Sequence, residues 1–205
     1  MLKLYITRHG ETVWNVEKRL QGWKDSSLTE SGVQNAIALG QALKTTVFES
    51  VYSSPSERTV HTAKLIMGDQ EIPFHLEQKL REIHMGNWEG RTHAEVAELD
   101  TDSFHSFWNT PHLYIAEKGE SFLEVQHRVV EAINEIKNLH QTGNILLVTH
   151  TVVIKCLLAF YKNLPLEKLW EPPYIHDTSL TVIEISEEPK ILLEGDISHR
   201  KVAFI

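Results

Sequence analysis

Short apolar runs that alternate with amphipathic stretches constrain the fold of this chain more than any other feature of its sequence. Three runs rich in β-branched residues predict strands at Leu2–Thr7, Ser50–Ser53 and Asn144–Thr149. Two more strands are predicted at Ser179–Ile185 and Lys190–Gly195. Strands that alternate with helices are joined by right-handed crossovers into parallel sheets with both faces covered. The pattern therefore predicts a three-layer α/β/α fold with a mostly parallel central sheet.

Four stretches between these runs carry helix signals. Two of them combine an apolar stripe at helical spacing with an N-cap residue, one lies between a predicted start and Gly68, and the last is an apolar run. The predicted starts are Thr29, Ser54 or Ser56, Ser121, and the residue after His150. Ser121 and Glu124 form the pattern of a capping box, in which each side chain bonds the other residue's backbone. Gly68 is predicted to end the second of these helices.

The region from about residue 72 to residue 118 lacks this alternation. It is rich in His, Trp and Glu, and its apolar residues show weak periodicity. We predict that it is an inserted, mostly helical or irregular segment over one edge of the sheet. A chain of 205 residues suits one sizeable domain, so the whole of residues 1–205 is predicted to form a single domain that contains this insertion.

Charge and composition exclude several classes of partner. The net charge of −8 argues against nucleic acid, because phosphate backbones are held by clustered Lys and Arg. Cys156 is the only cysteine, so no intrachain disulfide can form and a reducing compartment is allowed. The first apolar run ends too soon for a signal peptide, and no stretch is long enough to cross a bilayer. These observations predict a cytoplasmic protein that binds neither nucleic acid nor membrane.

Basic and imidazole side chains follow three of the predicted strands. Arg8 and His9 end the first strand, Arg58 follows the second, and His150 follows the third. Because the carboxyl ends of parallel strands meet at one edge of a sheet, these four side chains are predicted to converge. Guanidinium groups match phosphate oxygens, and a neutral imidazole beside them can attack phosphorus. The arrangement predicts a site for phosphoryl chemistry.

Five sequence blocks, in order, support this interpretation: RHGETVWN, SSPSERTVHTA, LREIHMGNWEG, GESF and VTHTVVIK. Their order and separation resemble the histidine phosphatase family, also called the phosphoglycerate mutase-like family. The resemblance extends from Leu4 to about Lys155, and DTSLTVIEI is similar to the family's last core strand. Five blocks in the right order are far more specific than any one of them. The resemblance implies a phosphoglycerate mutase-like fold.

The resemblance also implies roles for individual residues. His9 would be the histidine that is transiently phosphorylated, and Glu82 the acid that protonates the leaving oxygen and then helps to activate water. The implied phosphate-binding residues are Arg8, Asn15, Arg58 and His150. Gln21, Gly22 and Thr151 occupy positions that would contact substrate. No metal and no other cofactor is implied.

The function implied is a phosphatase of broad specificity that hydrolyses small phosphomonoesters through a phosphohistidine. Its expected partner is a small phosphorylated metabolite, and a homodimer is a further expectation. A phosphoglycerate mutase is the alternative, although residues 72–118 contain only four cations and the family's mutases typically have a longer, more basic insertion. A non-catalytic module that binds phosphorylated ligands is less favoured, because both His9 and Glu82 are retained. The twelve histidines form no recognisable metal motif.

Two residues depart from the family pattern. Thr151 stands where the family usually has Gly, so its side chain is expected to narrow the site. Asp177 stands where Asn is common; if it faces the pocket, it would disfavour anionic leaving groups. Trp23 and the stretch Phe104–Asn109 are expected to wall the mouth of the pocket. His84 and His176 flank sequence blocks and are the other histidines expected near the site.

Overall fold

The computed structural model describes residues 1–200; residues 201–205 of the predicted domain lie outside the described part. Its strands are β1 (Leu2–Arg8), β2 (Ser50–Ser53), β3 (Phe74–Leu76), β4 (Gly143–Thr149), β5 (Leu180–Ile185) and β6 (Lys190–Asp196). Its helices are α1 (Val13–Val16), α2 (Glu30–Ala42), α3 (Glu57–Met67), α4 (His93–Leu99), α5 (Thr101–Asn109), α6 (Phe122–Leu139) and α7 (Thr151–Tyr161). The alternation of strands and helices follows the apolar pattern of the sequence.

The strands form one six-stranded sheet in the order β3-β2-β4-β1-β5-β6. The first four strands of this order are mutually parallel, whereas β5 pairs antiparallel with β1, and β6 with β5. In the pairing of β1 with β4, Arg8 lies beside Thr149, so the carboxyl ends of the two strands are level. The prediction of an α/β fold with a mostly parallel sheet is confirmed.

Alternate residues of the central strands face two separate cores. On β1, Leu4 and Ile6 pack into a large core that includes residues of α6 and α7, whereas Tyr5 packs against the opposite core. That second core is built from residues of α2, α3 and the sheet, among them Leu39 and Ala63. On β4, residues 145–149 are all buried, so both faces of the strand are covered, which explains the apolar run ILLV in its sequence. The sheet is therefore the middle of three layers.

The capping signals mark the helix starts correctly in two cases. The hydroxyl of Thr29 accepts a hydrogen bond from the N–H of Gly32 at the start of α2. Ser121 and Glu124 form the reciprocal capping box at the start of α6. Ser56 precedes α3 without a capping bond from its side chain, and Gly68 follows the helix with a φ of 57°. The backbone at position 68 is thus in a conformation that glycine adopts without strain.

The segment from about residue 72 to residue 118 differs from its prediction in one respect. It begins with β3, which pairs with β2 in parallel and forms one edge of the sheet. A strand of three residues is too short to show an alternating pattern, and it is stabilised by its pairing with β2. Beyond β3 the segment contains α4, α5 and short 3₁₀ turns.

The short helix α1, which lies near the start of the chain, was also not predicted.

Helix α7 is apolar around most of its circumference. Eight of its eleven residues are buried, including Cys156, whose thiol lies 3.6 Å from the carbonyl oxygen of Phe122. Burial raises the pKa of the Cys156 thiol. Even so, within residues 1–200 no helix combines the length and the apolar character that a membrane crossing needs.

Candidate active site

A cavity of about 630 Å³ opens where β1, β2 and β4 end. Eight of the nine predicted site residues line it: Arg8, His9, Asn15, Gln21, Gly22, Arg58, Glu82 and Thr151. The ninth, His150, is fully buried directly behind, with its ring 5.3 Å from the ring of His9. Residues 141 positions apart in sequence are thus brought together, because they follow parallel strands that end at the same edge.

His9 is held in one orientation and one protonation state. Its Nδ1 lies 2.8 Å from the carbonyl oxygen of Gly10, and because a carbonyl can only accept, Nδ1 carries the hydrogen. The lone pair of the neutral ring is therefore on Nε2. Burial lowers the pKa of His9 well below 6.5, and the positive charges of Arg58 and Arg8 lower it further. His9 is consequently a neutral imidazole with a nucleophilic nitrogen.

Arg58 is fixed by four protein acceptors. Its two terminal nitrogens donate to the carbonyl oxygens of Gly22 and Lys24, at 2.8 and 2.6 Å, and to Asp25 at 2.7 Å. The fourth acceptor is Nδ1 of His150, at 3.1 Å. The Asp25 carboxylate also accepts the backbone N–H groups of residues 57 and 58, so it both orients the guanidinium and caps α3. The buried charge of Arg58 is therefore paired and preorganised.

Three buried guanidinium nitrogens have no hydrogen-bond partner within residues 1–200: Nε of Arg8, Nε of Arg58 and Nε of Arg200. Arg8 is anchored elsewhere, because one of its terminal nitrogens donates to the carbonyl oxygen of Ile175 at 3.0 Å. A buried charged donor without an acceptor costs several times the net free energy of an ordinary hydrogen bond. Both Arg8 and Arg58 line the cavity, so they bring positive charge suited to an anion that binds there.

His150 lies between Arg58 and Ser54. Its Nε2 is 2.8 Å from the hydroxyl of Ser54, and its Nδ1 accepts from Arg58. Nε2 therefore carries the hydrogen in this arrangement and donates it to Ser54. Burial lowers the pKa of His150 well below 6.5, and Arg58 adds to the effect. Both ring nitrogens of His150 are thus occupied by protein partners, and the ring holds Arg58 in place.

Glu82, within the sequence block LREIHMG, is a buried carboxyl group that lines the cavity. Burial raises its pKa above 4.5, although the N–H of Ile83, at 3.0 Å, and the charge of Arg58 oppose this shift. Its backbone carbonyl accepts from the indole of Trp23 and from Arg128, at 2.9 and 3.1 Å. The raised pKa suits a group that must hold a proton and then give it up.

One short loop, residues 21–25, connects the phosphate-binding side to Glu82. Its Gly22 has a φ of 51°, and a Cβ there would lie 2.3 Å from the Glu89 carboxylate. Glu89 is itself buried and accepts the backbone N–H groups of Trp23 and Met85, at 3.0 and 3.1 Å. Only glycine satisfies both the backbone angle and the contact. Glu89 thus ties this loop to the segment that carries Glu82.

The two departures from the family pattern both border the cavity. Thr151, half-buried, is the first residue of α7. Asp177 does not bring an uncompensated charge, since it pairs with Arg200 at 2.8 Å and accepts from Asn35 at 3.2 Å. The expected repulsion of anions by Asp177 is therefore reduced.

The side-chain oxygen of Asn15 caps α1 by accepting from Thr12. The NH₂ group of Asn15 is therefore the part of the side chain that can donate to a ligand.

Of the aromatic residues predicted at the mouth of the cavity, Trp108 lines it and Trp23 does not. Trp108, on α5, lines the cavity, as does His176. Trp23 is absent from the lining; its ring stacks on His84 with centroids 4.6 Å apart, and the guanidinium of Arg81 lies over it. Trp23 therefore supports Glu82 from behind, and does not form the mouth of the cavity.

A model of the histidine phosphatase superfamily (branch 1) matches residues 4–195. The chain belongs to this superfamily. The predicted family is therefore confirmed over nearly the whole sequence, including each block that carries a site residue. The described residues contain no group of three or more His, Cys, Asp or Glu side chains arranged to hold a metal ion.

Known members of the superfamily differ in activity. The solved structure of Bacillus stearothermophilus YhfR is 46% identical, with a TM-score of 0.95, and covers 97% of this chain and 99% of its own. Phosphoserine phosphatase 1 of Hydrogenobacter thermophilus is 31% identical over 97% of this chain and 93% of its own length. A probable phosphoglycerate mutase, GpmB of Proteus mirabilis, is 36% identical over 80% of this chain and 77% of its own.

Sequence reasoning missed several residues of this histidine phosphatase site. Asp25 orients Arg58, Glu89 joins two loops, and Lys155 donates to the carbonyl oxygens of Glu171 and Pro173 beside the cavity. Each acts through a contact between segments far apart in sequence. The block GWKD, in which an acidic residue follows a glycine turn, is the one local signal that could have drawn attention to Asp25.

Proposed function

We propose that this protein hydrolyses small phosphomonoesters through a phosphohistidine formed at His9. The observation that carries the proposal is that the guanidinium groups of Arg8 and Arg58 line the same cavity as a neutral His9 and a buried Glu82. A bound phosphoryl group would be attracted by both positive charges. Its phosphorus would then face a nitrogen nucleophile, with positive charge around its equatorial oxygens.

In the first step, the lone pair on Nε2 of His9 attacks phosphorus and the bond to the leaving oxygen breaks. Glu82 gives its proton to that oxygen, so the product leaves as a neutral alcohol. The carboxyl group is protonated at the start because burial raises its pKa. The hydrogen on Nδ1 of His9 stays bonded to the carbonyl oxygen of Gly10, which stabilises the positive charge that develops on the ring.

In the second step, water cleaves the phosphoenzyme. Glu82, now a carboxylate, accepts a proton from the water as its oxygen attacks phosphorus, and the bond from phosphorus to Nε2 breaks. Inorganic phosphate leaves, with His9 neutral and Glu82 protonated again. The same two residues thus serve both half-reactions, and the fixed donors of Arg8 and Arg58 would hold the phosphoryl group throughout.

The positions of the cations in the inserted segment favour hydrolysis over return of the phosphoryl group to a bound product. A mutase must hold a second anionic group while the phosphoryl group changes position. The four cations of the segment from residue 72 to residue 118 all lie outside the cavity lining: Lys79, Arg81, Arg91 and Lys118. Lys79 is instead paired with Glu131 and Glu135, at 3.0 and 2.6 Å.

Cytoplasmic location and a homodimer remain predictions from the sequence.

The test is to trap the phosphoenzyme. Wild-type protein incubated briefly with a ³²P-labelled phosphomonoester and quenched in alkali should retain label that is stable to base and released by acid. His9→Ala should retain none and should lose turnover by about 10⁴-fold or more. His105→Ala, which removes an exposed histidine outside the cavity lining, is the matched control. Normal turnover in His9→Ala would overturn the proposal.

A second measurement separates phosphatase from mutase. Phosphate release and the interconversion of 2- and 3-phosphoglycerate should be followed in parallel, with and without a bisphosphate primer. We expect phosphate release that does not depend on the primer. Primer-dependent interconversion that exceeds phosphate release would favour the mutase.

A further inference from the structure

One wall of the cavity, beyond the phosphate-binding residues, is made of aromatic rings. Trp108 packs on Trp170 with ring centroids 4.9 Å apart, and Phe107 lies 4.9 Å from Trp108 and 5.6 Å from Trp170. Tyr174 extends this wall and is 68% exposed. These four residues, Phe107, Trp108, Trp170 and Tyr174, are called the aromatic wall below.

The wall presents mostly ring carbon, and one of its three side-chain polar atoms is already used. The indole Nε1 of Trp170 donates to the carbonyl oxygen of Phe107 at 2.7 Å, so it is unavailable to a ligand. Phe107 has 1% exposure and fixes the position of the other rings. Met85 and Ile175 add further apolar surface to the lining. An alcohol seated here would contact ring faces and hydrocarbon.

Most cations on this side of the cavity are committed to protein acceptors. Lys155 donates to the carbonyl oxygens of Glu171 and Pro173. Arg19 donates to Glu17 at 2.7 Å and to the carbonyl oxygen of Gly90 at 2.9 Å. The carboxylate of Glu11 borders the same space, with Lys18 exposed at the rim. Among residues 1–200, a carboxylate on the substrate would therefore meet no buried cation on this side of the cavity that lacks protein acceptors.

We propose that the aromatic wall selects phosphomonoesters of flat, apolar alcohols, and that it disfavours those whose alcohol carries a carboxylate. This inference rests on the proposed function, because it assigns the leaving group of the same site. A cavity of about 630 Å³ leaves room for a ring system after the phosphoryl group is placed. Aromatic pairs gain from offset stacking in addition to the area they bury.

The first experiment compares alkyl phosphates whose leaving oxygens have similar reactivity, so that chemistry does not obscure binding. The substrates are ethyl phosphate, 2-cyclohexylethyl phosphate, 2-phenylethyl phosphate and O-phosphoserine. We expect kcat/KM for 2-phenylethyl phosphate to exceed that for ethyl phosphate by about tenfold or more. The cyclohexyl compound should fall between them, and O-phosphoserine should fall below ethyl phosphate. A preference for O-phosphoserine, or equal values for ethyl and phenylethyl phosphate, would overturn the proposal.

The second experiment locates the selectivity. Trp108→Ala and Tyr174→Ala should each lower the ratio of kcat/KM for phenylethyl over ethyl phosphate by about threefold or more. Tyr174 is an exposed loop residue, so its variant keeps the test valid if Trp108→Ala fails to fold. Phe160→Ala removes an exposed aromatic ring outside the cavity lining and should leave the ratio unchanged. An unchanged ratio in Tyr174→Ala and in folded Trp108→Ala would contradict the role of the wall.

Binding to His9→Ala separates this inference from the proposed function. The probes are 3-phenylpropylphosphonate and propylphosphonate, in which CH₂ replaces the ester oxygen. Calorimetry should give a Kd about tenfold lower for the phenyl compound. This result would support the wall even if wild-type protein proved not to be a hydrolase. If the two Kd values are equal and wild-type protein still forms phosphohistidine, the proposed role of the aromatic wall is wrong while the proposed function stands.

Discussion

The two ends of the cavity are built in contrasting ways. At the phosphate end, Arg58 has four protein acceptors, and both ring nitrogens of His150 are hydrogen-bonded. At the other end, the aromatic wall is held by ring packing and by one indole hydrogen bond. Directional bonds fix atoms to a few tenths of an ångström, whereas packed rings tolerate small shifts. The first end is suited to precise chemistry and the second to a range of alcohols.

The position of each end in the fold explains this difference. The residues of the phosphate end follow β1, β2 and β4, whose backbones are fixed by the centre of the sheet. The wall comes from α5 and from the loop before β5, which lie outside the sheet. A histidine phosphatase can therefore change its leaving group without disturbing the centre that handles phosphorus. The predictions below test this separation.

After His9→Ala, the largest effect is expected for Glu82→Gln. Removal of the proton donor should lower kcat/KM for ethyl phosphate by about 10³-fold, and by much less for an aryl phosphate whose leaving oxygen needs no proton. Wild-type activity should require neutral His9 and protonated Glu82. Its acid limb should therefore lie below pH 6.5, because the pKa of His9 is lowered, and its alkaline limb above pH 4.5, because the pKa of Glu82 is raised.

The pH profile of the variant checks that assignment. Glu82→Gln cannot lose a proton, so the alkaline limb should disappear while the acid limb remains. Glu187→Gln, a change at an exposed carboxylate, should keep both limbs. An alkaline limb that persists in Glu82→Gln would assign the proton donor to another group.

Arg58→Lys should have the next largest effect. An ammonium group cannot reproduce the four protein contacts of the planar guanidinium, so the positive charge would be misplaced and kcat/KM should fall by about 10²-fold for every substrate. Because the loss is at the phosphate end, the preference between phenylethyl and ethyl phosphate should not change. Arg91→Lys, at an exposed position outside this cavity, is the control. A change in substrate preference would show that the two ends are coupled.

Ser54→Ala should lower kcat/KM by about tenfold. The change removes the partner of Nε2 of buried His150 and so releases the ring that contacts Arg58. Ser53→Ala is a matched control, because it removes a buried hydroxyl that bonds only a backbone carbonyl. Both variants should lose about 1 kcal/mol of stability. Only Ser54→Ala should lose activity; equal activity in the two would reduce Ser54 to a structural residue.

The smallest change in activity is expected for Trp88→Phe. Trp88 lies behind the aromatic wall, 5.8 Å from the ring of Phe107, and its indole donates to Asp100 at 3.2 Å. Loss of that bond should cost about 1 kcal/mol in unfolding free energy, measured by urea denaturation. Turnover of ethyl phosphate should stay within twofold of wild type. A tenfold loss would mean that packing behind the wall controls the phosphate end.

The sequence was most informative where chemistry follows a strand. Arg8, His9 and His150 could be placed because an apolar run shows where a parallel strand ends, and the strand ends share one edge. The short strand β3 could not be predicted, since three residues carry no periodicity and its pairing depends on β2.

Contacts that depend on tertiary structure were also beyond prediction. Asp25 acts on a guanidinium 33 residues away, and nothing in its immediate sequence specifies that partner. Tyr174 lies in an irregular loop whose path is set by hydrogen bonds from Lys155 and Arg8. The role of a residue that positions another side chain therefore cannot be predicted from the sequence and is seen only in the three-dimensional structure.

The single thiol of Cys156 gives the molecule an internal reporter. It is fully buried in α7, the helix that begins next to His150, and its pKa is raised. A thiol in that state is unreactive toward alkylating reagents while the helix stays packed. The rate of its modification would consequently measure how often the layer beneath the sheet opens. Protection by a bound phosphate analogue would quantify, without any enzymatic assay, how far ligand binding suppresses that opening.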